Sequence, residues 1–304
     1  MLIRQVERYV DYRHKLGVGF EEGEHTLTLF ARYADEHGDS HVTIERIHEW
    51  CSQACSPERA RAKYNLLRRF SLFLRAEDPG HAAPPIGAFG CRRRPRPAPH
   101  LLQPEQIAAI ISAALTLPDR KISACTYHYL FGLLAVTGMR VSEALALQRS
   151  DLTRDGLLVR RSKGGGSRLL PIHSTTRDAV GAYLNRRDRA FSVSDDLFIV
   201  STGRAPDRST VRKVFVDLAR QLGIRGPVGT PGPRLHDLRH SFAVRSLEAC
   251  VHDYDTVRRH MAALRDYLGH SSILHTYWYL EATPVLMRTI AAANEYRAAI
   301  WVRH

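Results

Sequence analysis

The chain has 304 residues, 44% of them hydrophobic and 25% charged. That is enough for two domains with cores of their own, and too apolar for a disordered or fibrous protein. Lys and Arg total 44 against 31 Asp and Glu, a net charge of +13 that makes a polyanion, nucleic acid first, the expected partner. Five cysteines without framework spacing argue for a reduced, cytoplasmic compartment over secretion. Arg4 and Glu7 fall where a signal peptide needs its apolar core. One uncharged run, Ile122 to Met139, has membrane length, but it carries Ser123, Thr126, His128 and Thr137 and reads as a buried core helix.

The charge is unevenly spread. Residues 1–90 are net −1, residues 91–100 are +4 and residues 101–304 are +10. Of the 44 basic residues only Lys15, Lys63, Lys121, Lys163 and Lys213 are lysine. Arginine is the better bidentate partner for phosphate, although base composition of the coding DNA biases a chain the same way.

Four helices are predicted in the first 75 residues. Leu2, Ile3, Val6, Tyr9 and Val10 form one apolar stripe, and Leu27, Phe30, Tyr33 and Ala34 a second. Thr43 caps a third helix, reaching Trp50. Ser56-Pro57, a cap followed by proline, opens the fourth, with Leu66, Leu67, Phe70, Phe73 and Leu74 on its apolar face. Arg61, Lys63, Arg68 and Arg69 of this helix are candidate phosphate contacts; a plain solvated face is the alternative. Domain boundaries are set at 1–77, 78–100 and 101–304. The middle segment holds six prolines from Pro79 to Pro99, which make it extended and fairly stiff, with Arg92, Arg93, Arg94 and Arg96 among them. Arg92, Arg93 and Arg94 are candidate DNA contacts of a basic strap between domains; a plain solvated linker is the alternative.

The second domain starts near Leu101. A helix is predicted from Pro104 to Ala114, a long apolar one from about Asp119 to Thr137, and a short one over Val141–Leu147. The period then changes: Gly156–Arg161 and Arg168–Ile172 read as strands around a glycine-rich tip bearing Lys163. The rest reads as mostly helical.

Four short signals carry the chemistry. In Thr137-Gly138-Met139-Arg140-Val141-Ser142-Glu143, a glycine break sets Arg140 at a helix start, where it can grip an anion, with Glu143 one turn on to hold it. Lys163 precedes its glycines and lies between strands, so the tip is no P-loop. In Leu235-His236-Asp237-Leu238-Arg239-His240, His236 and Arg239 share a helix face, and His240 sits one turn from His236. The two histidines have zinc spacing, but no glutamate follows the first, and Cys51 and Cys55 lie in the other domain; no metal site is expected. The fourth is Leu268-Gly269-His270-Ser271-Ser272, followed by Thr276-Tyr277-Trp278-Tyr279-Leu280. Each alone reads as ordinary surface or core.

In this order and spacing, across residues 101–285, the four resemble the tyrosine recombinases of the lambda-integrase type. The tail through Thr283-Pro284 is similar to the transposon-encoded branch. The resemblance implies a mainly α fold with a small antiparallel β-sheet: a helical, SAM-like core-binding domain and a mixed α/β catalytic domain. It implies site-specific DNA cleavage and rejoining through a 3′-phosphotyrosyl link, without metal, cofactor or ATP, for a mobile element. Tyr279, nine residues after His270, matches the nucleophile; Tyr277 is the rival, about 200° away on a helix. Arg140 and Arg239 match the phosphate-clamping arginines, and Lys163 the general acid for the leaving 5′-oxygen. His236 matches the histidine that helps accept the tyrosine proton, and His270 a donor to the phosphate. Glu143 is read as a support. The implied partner is double-stranded DNA carrying recombination sites, clamped by a homotetramer. In the family a C-terminal helix passes between subunits, for which Val285, Leu286, Ile290, Ile300 and Trp301 are available here. Accessory recombinases or DNA-bending proteins stay open, and the expected location is cytoplasmic, on the nucleoid. A type IB-like topoisomerase, and a non-catalytic DNA-binding or architectural protein, are the alternatives.

Overall fold

Helix starts are set by local chemistry where the sequence signals them. The structure is a computed structural model and describes residues 2–17, 19–90, 99–118, 122–160, 166–190, 194–249, 254–270, 272 and 279. Contacts divide the chain into two units, Met1–Arg96 and Pro97–His304.

The first unit contains α1 (Leu2–Lys15), α2 (Glu21–Glu36), α3 (Ile44–Ser52) and α4 (Pro57–Arg75). The Thr43 hydroxyl accepts from Arg46 N–H and Ser56 from Arg59 N–H, each satisfying an orphan donor of the first turn. The stripes close on one core of Leu2, Val6, Leu27, Phe30, Ile47, Tyr64, Leu67 and Phe70.

Residues 78–90 belong to the segment that the sequence marks as an extended linker. They run along α4: Ser71 Oγ donates to Ala82 O, Arg68 Nε to Pro84 O, Tyr64 OH to Pro85 O and Arg61 Nε to Gly90 O. Proline removes its own N–H but leaves its carbonyl free to accept, so a polar helix face binds a proline-rich chain without a partner strand. His81 is the clip. It is buried, and its Nδ1 accepts from Val42 N–H at 3.1 Å while Ala82 N–H donates back to Val42 O.

The second unit builds on α6 (Ser123–Thr137), the predicted core helix. Leu130, Phe131, Leu133 and Leu134 are buried with Tyr183, Phe198 and Phe215. Its polar residues are satisfied: Thr126 Oγ1 bonds Ile199 O at 2.5 Å and Tyr183 OH at 3.0 Å. No helix among the described residues is long and apolar enough to cross a membrane. The unit also contains α5 (Pro104–Ala113), α7 (Val141–Leu145), α8 (Ser174–Ala190), α9 (Arg208–Gln221), α10 (Asp237–Glu248) and α11 (Tyr254–Leu268). A three-stranded antiparallel sheet has the order β1 (Leu152–Thr153), β2 (Gly156–Val159), β3 (Arg168–Leu170), with Leu157 opposite Leu152 and Leu170. The short β1 was not predicted. A separate apolar cluster joins α10 and α11 through Ala243, Val244, Leu247, Met261, Leu264 and Leu268, and Tyr279 packs into it.

Candidate active site

Two left-handed glycines shape the site. Gly138 ends α6 at φ +59°, and a Cβ there would fall 2.4 Å from the Phe242 ring. Gly269 follows α11 at φ +65°, where a Cβ would lie 2.8 Å from the Arg168 guanidinium. Both glycines therefore allow a turn and a close approach that no other residue allows. The turn after Gly138 starts α7 at Arg140, and the turn at Gly269 presents a carbonyl to it.

Arg140 is held from three sides. Its backbone N–H donates to Glu143 Oε2 at 2.9 Å, Nη1 to Glu143 Oε1 at 2.8 Å, and Nη2 to Gly269 O at 2.9 Å. Glu143 also takes both ends of Arg168, at 3.1 and 2.8 Å, and Arg168 Nε donates to Tyr267 O. Burial acts to raise the Glu143 carboxyl. The Arg168 and Arg140 hydrogen bonds and charges outweigh it and bring the group down to about 2. An ionised Glu143 between two arginines thus ties α7 to β3 and to the Gly269 turn.

Arg239, on α10, is buried and donates to Gly138 O and Leu268 O, both at 2.8 Å. Burial draws its guanidinium down to about 10, with Tyr279 opposing the fall, so it keeps its charge at neutral pH. Arg140 and Arg239 therefore reach the carbonyls of the same turn, Gly269 and Leu268, from different helices.

Tyr279 is buried, 2% exposed. Its hydroxyl lies 3.3 Å from His240 Nδ1, and its ring stacks on His270 with centroids 6.1 Å apart. Its charge interaction with Arg239 acts to hold that guanidinium protonated. His236, the residue before α10, packs edge-on against His240 at 4.6 Å. The site thus brings together Arg140, Arg239, His236, His270 and Tyr279. Lys163, Tyr277, Trp278, Arg92, Arg93, Arg94, Arg96 and the tail segment 285–301 lie outside the described residues.

Sequence reasoning missed two partners. Arg168 carried a signal, a charge in an otherwise apolar strand opposite the lysine tip. His240 was weighed only as a metal ligand, and its proximity to a tyrosine 39 residues away had no sequence signal.

The candidate DNA contacts of α4 have local partners. Arg61 and Arg68 hold residues 84–90 through Nε, Arg69 Nε donates to Asn65 O, and the Lys63 ammonium lies 3.8 Å over the Trp50 ring.

One trio among the described residues has metal-ligand spacing: His41, Asp78 and His81. Its wiring opposes a metal. A ligating histidine donates its second nitrogen outward, whereas His81 Nδ1 accepts from Val42 N–H and so leaves the proton on Nε2, the nitrogen facing Asp78.

The model of the phage integrase family matches residues 100–284. The chain belongs to the phage integrase family. A Sinorhizobium fredii protein described as an integrase/recombinase, y4rB, is 35% identical over 96% of each chain. The tyrosine recombinase XerA of Thermococcus kodakarensis is 27% identical over 93% of this chain and 91% of its own. Among solved structures, the Tn1549 transposon integrase in complex with transposon right-end DNA shares the fold at a TM-score of 0.65. It is 18% identical over 98% of this chain and 99% of that one. The XerA recombinase crystal structure gives 0.52, at 21% identity over 96% and 98%. Family membership carries the activity class: a tyrosine-type site-specific DNA recombinase.

Proposed function

We propose that the chain cleaves and rejoins DNA with Tyr279 as nucleophile, and that it serves a mobile element. The observation that carries this is the tyrosine hydroxyl set beside Arg239 and His240, next to Arg140, whose side chain is locked by Glu143 and the Gly269 carbonyl. Phosphoryl transfer asks mainly for positioning and charge stabilisation. Two guanidiniums supply four N–H donors for the non-bridging oxygens. In the reading, Tyr279 attacks the scissile phosphorus and the 5′-oxygen leaves with a proton from Lys163. His236 helps take the tyrosine proton, and His270 donates to the phosphate. The 3′-phosphotyrosyl link retains the bond energy, so religation by a 5′-hydroxyl needs no ATP. In the free protein the Arg239 and Arg140 donors bind carbonyls of the Gly138 and Gly269 turns, so phosphate entry exchanges these bonds for charge-assisted ones.

Residues 1–77 act in this reading as the core-binding domain, with Arg61, Lys63, Arg68 and Arg69 on phosphates, and residues 101–304 as the catalytic domain. The docking of residues 78–90 on α4 leaves Arg92, Arg93, Arg94 and Arg96 as the strap. A homotetramer on two sites, exchanging C-terminal helices, and a cytoplasmic, nucleoid-associated location complete it. The test is a duplex nicked just downstream of a candidate site, incubated without metal. An SDS-stable adduct on Tyr279, lost in Tyr279→Phe, is expected. An adduct on Tyr277 would replace the nucleophile. Relaxed single duplexes without exchange between sites would favour the topoisomerase alternative. Tight binding with no adduct would favour the architectural one.

A further inference from the structure

Asp237 is fully buried at the first position of α10. One carboxylate oxygen, Oδ2, accepts from Arg234 N–H at 2.7 Å, with Arg234 Nε 3.7 Å away. The other, Oδ1, is buried and has no hydrogen-bond partner. A buried, unsatisfied carboxylate oxygen is costly and calls for an explanation. His240 Nε2 lies 4.0 Å from it. The opposite nitrogen of that ring, Nδ1, lies 3.3 Å from Tyr279 OH. The three groups thus follow one another across the ring: carboxylate, imidazole, phenol. If Nδ1 accepts the phenolic proton, the ring's own proton is on Nε2, facing Asp237 Oδ1.

We propose that His240, not His236 alone, is the base that takes the Tyr279 proton, and that Asp237 is the counter-charge that stabilises the resulting imidazolium. The inference rests on Tyr279 being the nucleophile. In the step, the Tyr279 O–H bond breaks and an Nδ1–H bond forms on His240. The phenolate oxygen bonds to phosphorus, and the 5′-oxygen leaves with a proton from a separate acid. On religation the P–O bond to Tyr279 breaks and His240 returns its proton to the phenolate. Asp237 exchanges no proton in the step. It is a positioning residue: it holds the tautomer and offsets the new charge, as the carboxylate does in other nucleophile–histidine–acid arrangements. His236, edge-on to His240, then presents its own ring to the phosphate.

The test uses the full chain and the nicked duplex, measuring single-turnover adduct formation and DNA affinity separately. His240→Ala is expected to slow adduct formation by about 10²–10⁴-fold with DNA affinity unchanged. Two readouts separate a base from a packing residue. Added imidazole should restore part of the His240→Ala rate. A 3,5-difluorotyrosine at position 279, whose phenol ionises more easily, should recover most of the loss without any base. His240→Gln keeps ring-like size and polarity without titrating, and should behave as His240→Ala should the latter fail to fold. Asp237→Asn keeps the Arg234 contact and should slow the step by about 10-fold or more, and difluorotyrosine should shrink that loss too. A wild-type rate in His240→Ala or His240→Gln would overturn the proposal. So would a slow rate that neither imidazole nor difluorotyrosine raises. Failure of the wild-type protein to form any adduct on a cleavable site would instead refute Tyr279 as nucleophile, and the base assignment with it.

Discussion

Removing Arg168 tests whether Glu143 is the joint of the site. Arg168→Ala deletes a two-pronged ion pair to a carboxylate that is 5% exposed, and a bond to Tyr267 O. It leaves Glu143 with Arg140 alone. The fall of the Glu143 carboxyl from 4.5 to about 2 corresponds to about 3 kcal/mol of native-state preference for its charge. Breaking one partner from a buried pair costs about 3–5 kcal/mol by mutation. We therefore expect Arg168→Ala to cost the catalytic unit about 3 kcal/mol, or roughly 6–12 °C in its melting transition. The sign with pH follows from the depressed carboxyl. Its contribution is complete above about 4.5 and is lost as pH falls towards about 2. The assay is calorimetric melting of the wild type, Arg168→Ala, Glu143→Gln and the double variant between pH 7 and pH 3. In the Glu143→Gln background, Arg168→Ala should cost much less, and the acid loss in that window should shrink. Costs adding to within about 0.5 kcal/mol at pH 7 would refute the reasoning, because independent sites add.

Further outcomes are expected. Tyr279→Phe should abolish the covalent adduct while leaving DNA affinity within about twofold, and Tyr277→Phe should not; gel analysis under denaturing conditions reads both. Affinity for DNA should fall by about 10³-fold or more between 50 and 200 mM salt if six or more phosphates are neutralised, checked by fluorescence anisotropy. Gly138→Ala forces a Cβ into the Phe242 ring at a left-handed φ, and should destabilise the catalytic unit by about 2 kcal/mol or more in urea melts. Burial, then the neighbouring His41 charge, lowers the His81 pKa, so the helical unit should be most stable above about 6.5 and lose stability as pH falls below it. Limited proteolysis should cut residues 78–90 faster at pH 5 than at pH 8, and His81→Ala should expose them at both.

Much of the fold was legible because its causes are local. Thr43 and Ser56 cap the helices that follow them, and Gly138 ends α6 where a left-handed residue is needed. The apolar run around α6 was readable as core because its hydroxyls and histidine argued against lipid, and they do find partners in Tyr183, Ile199 and Ile111. Motif order singles out Arg140, His236, Arg239, His270 and Tyr279 as candidates, and the fold brings them together. Tertiary structure alone decided the rest. Arg168 meets Glu143 across 25 residues, and His240 meets Tyr279 across 39, distances over which no helical or strand period operates. The proline-rich stretch after α4 reads as an extended linker because composition reports chain stiffness and says nothing of the carbonyls. Those carbonyls accept from the arginines and the tyrosine that α4 lines up along one face. Local chemistry thus determined which groups the chain carries and where each helix begins. Packing decided which of those groups face one another, because buried charge and unsatisfied polar atoms must find partners wherever the fold brings them.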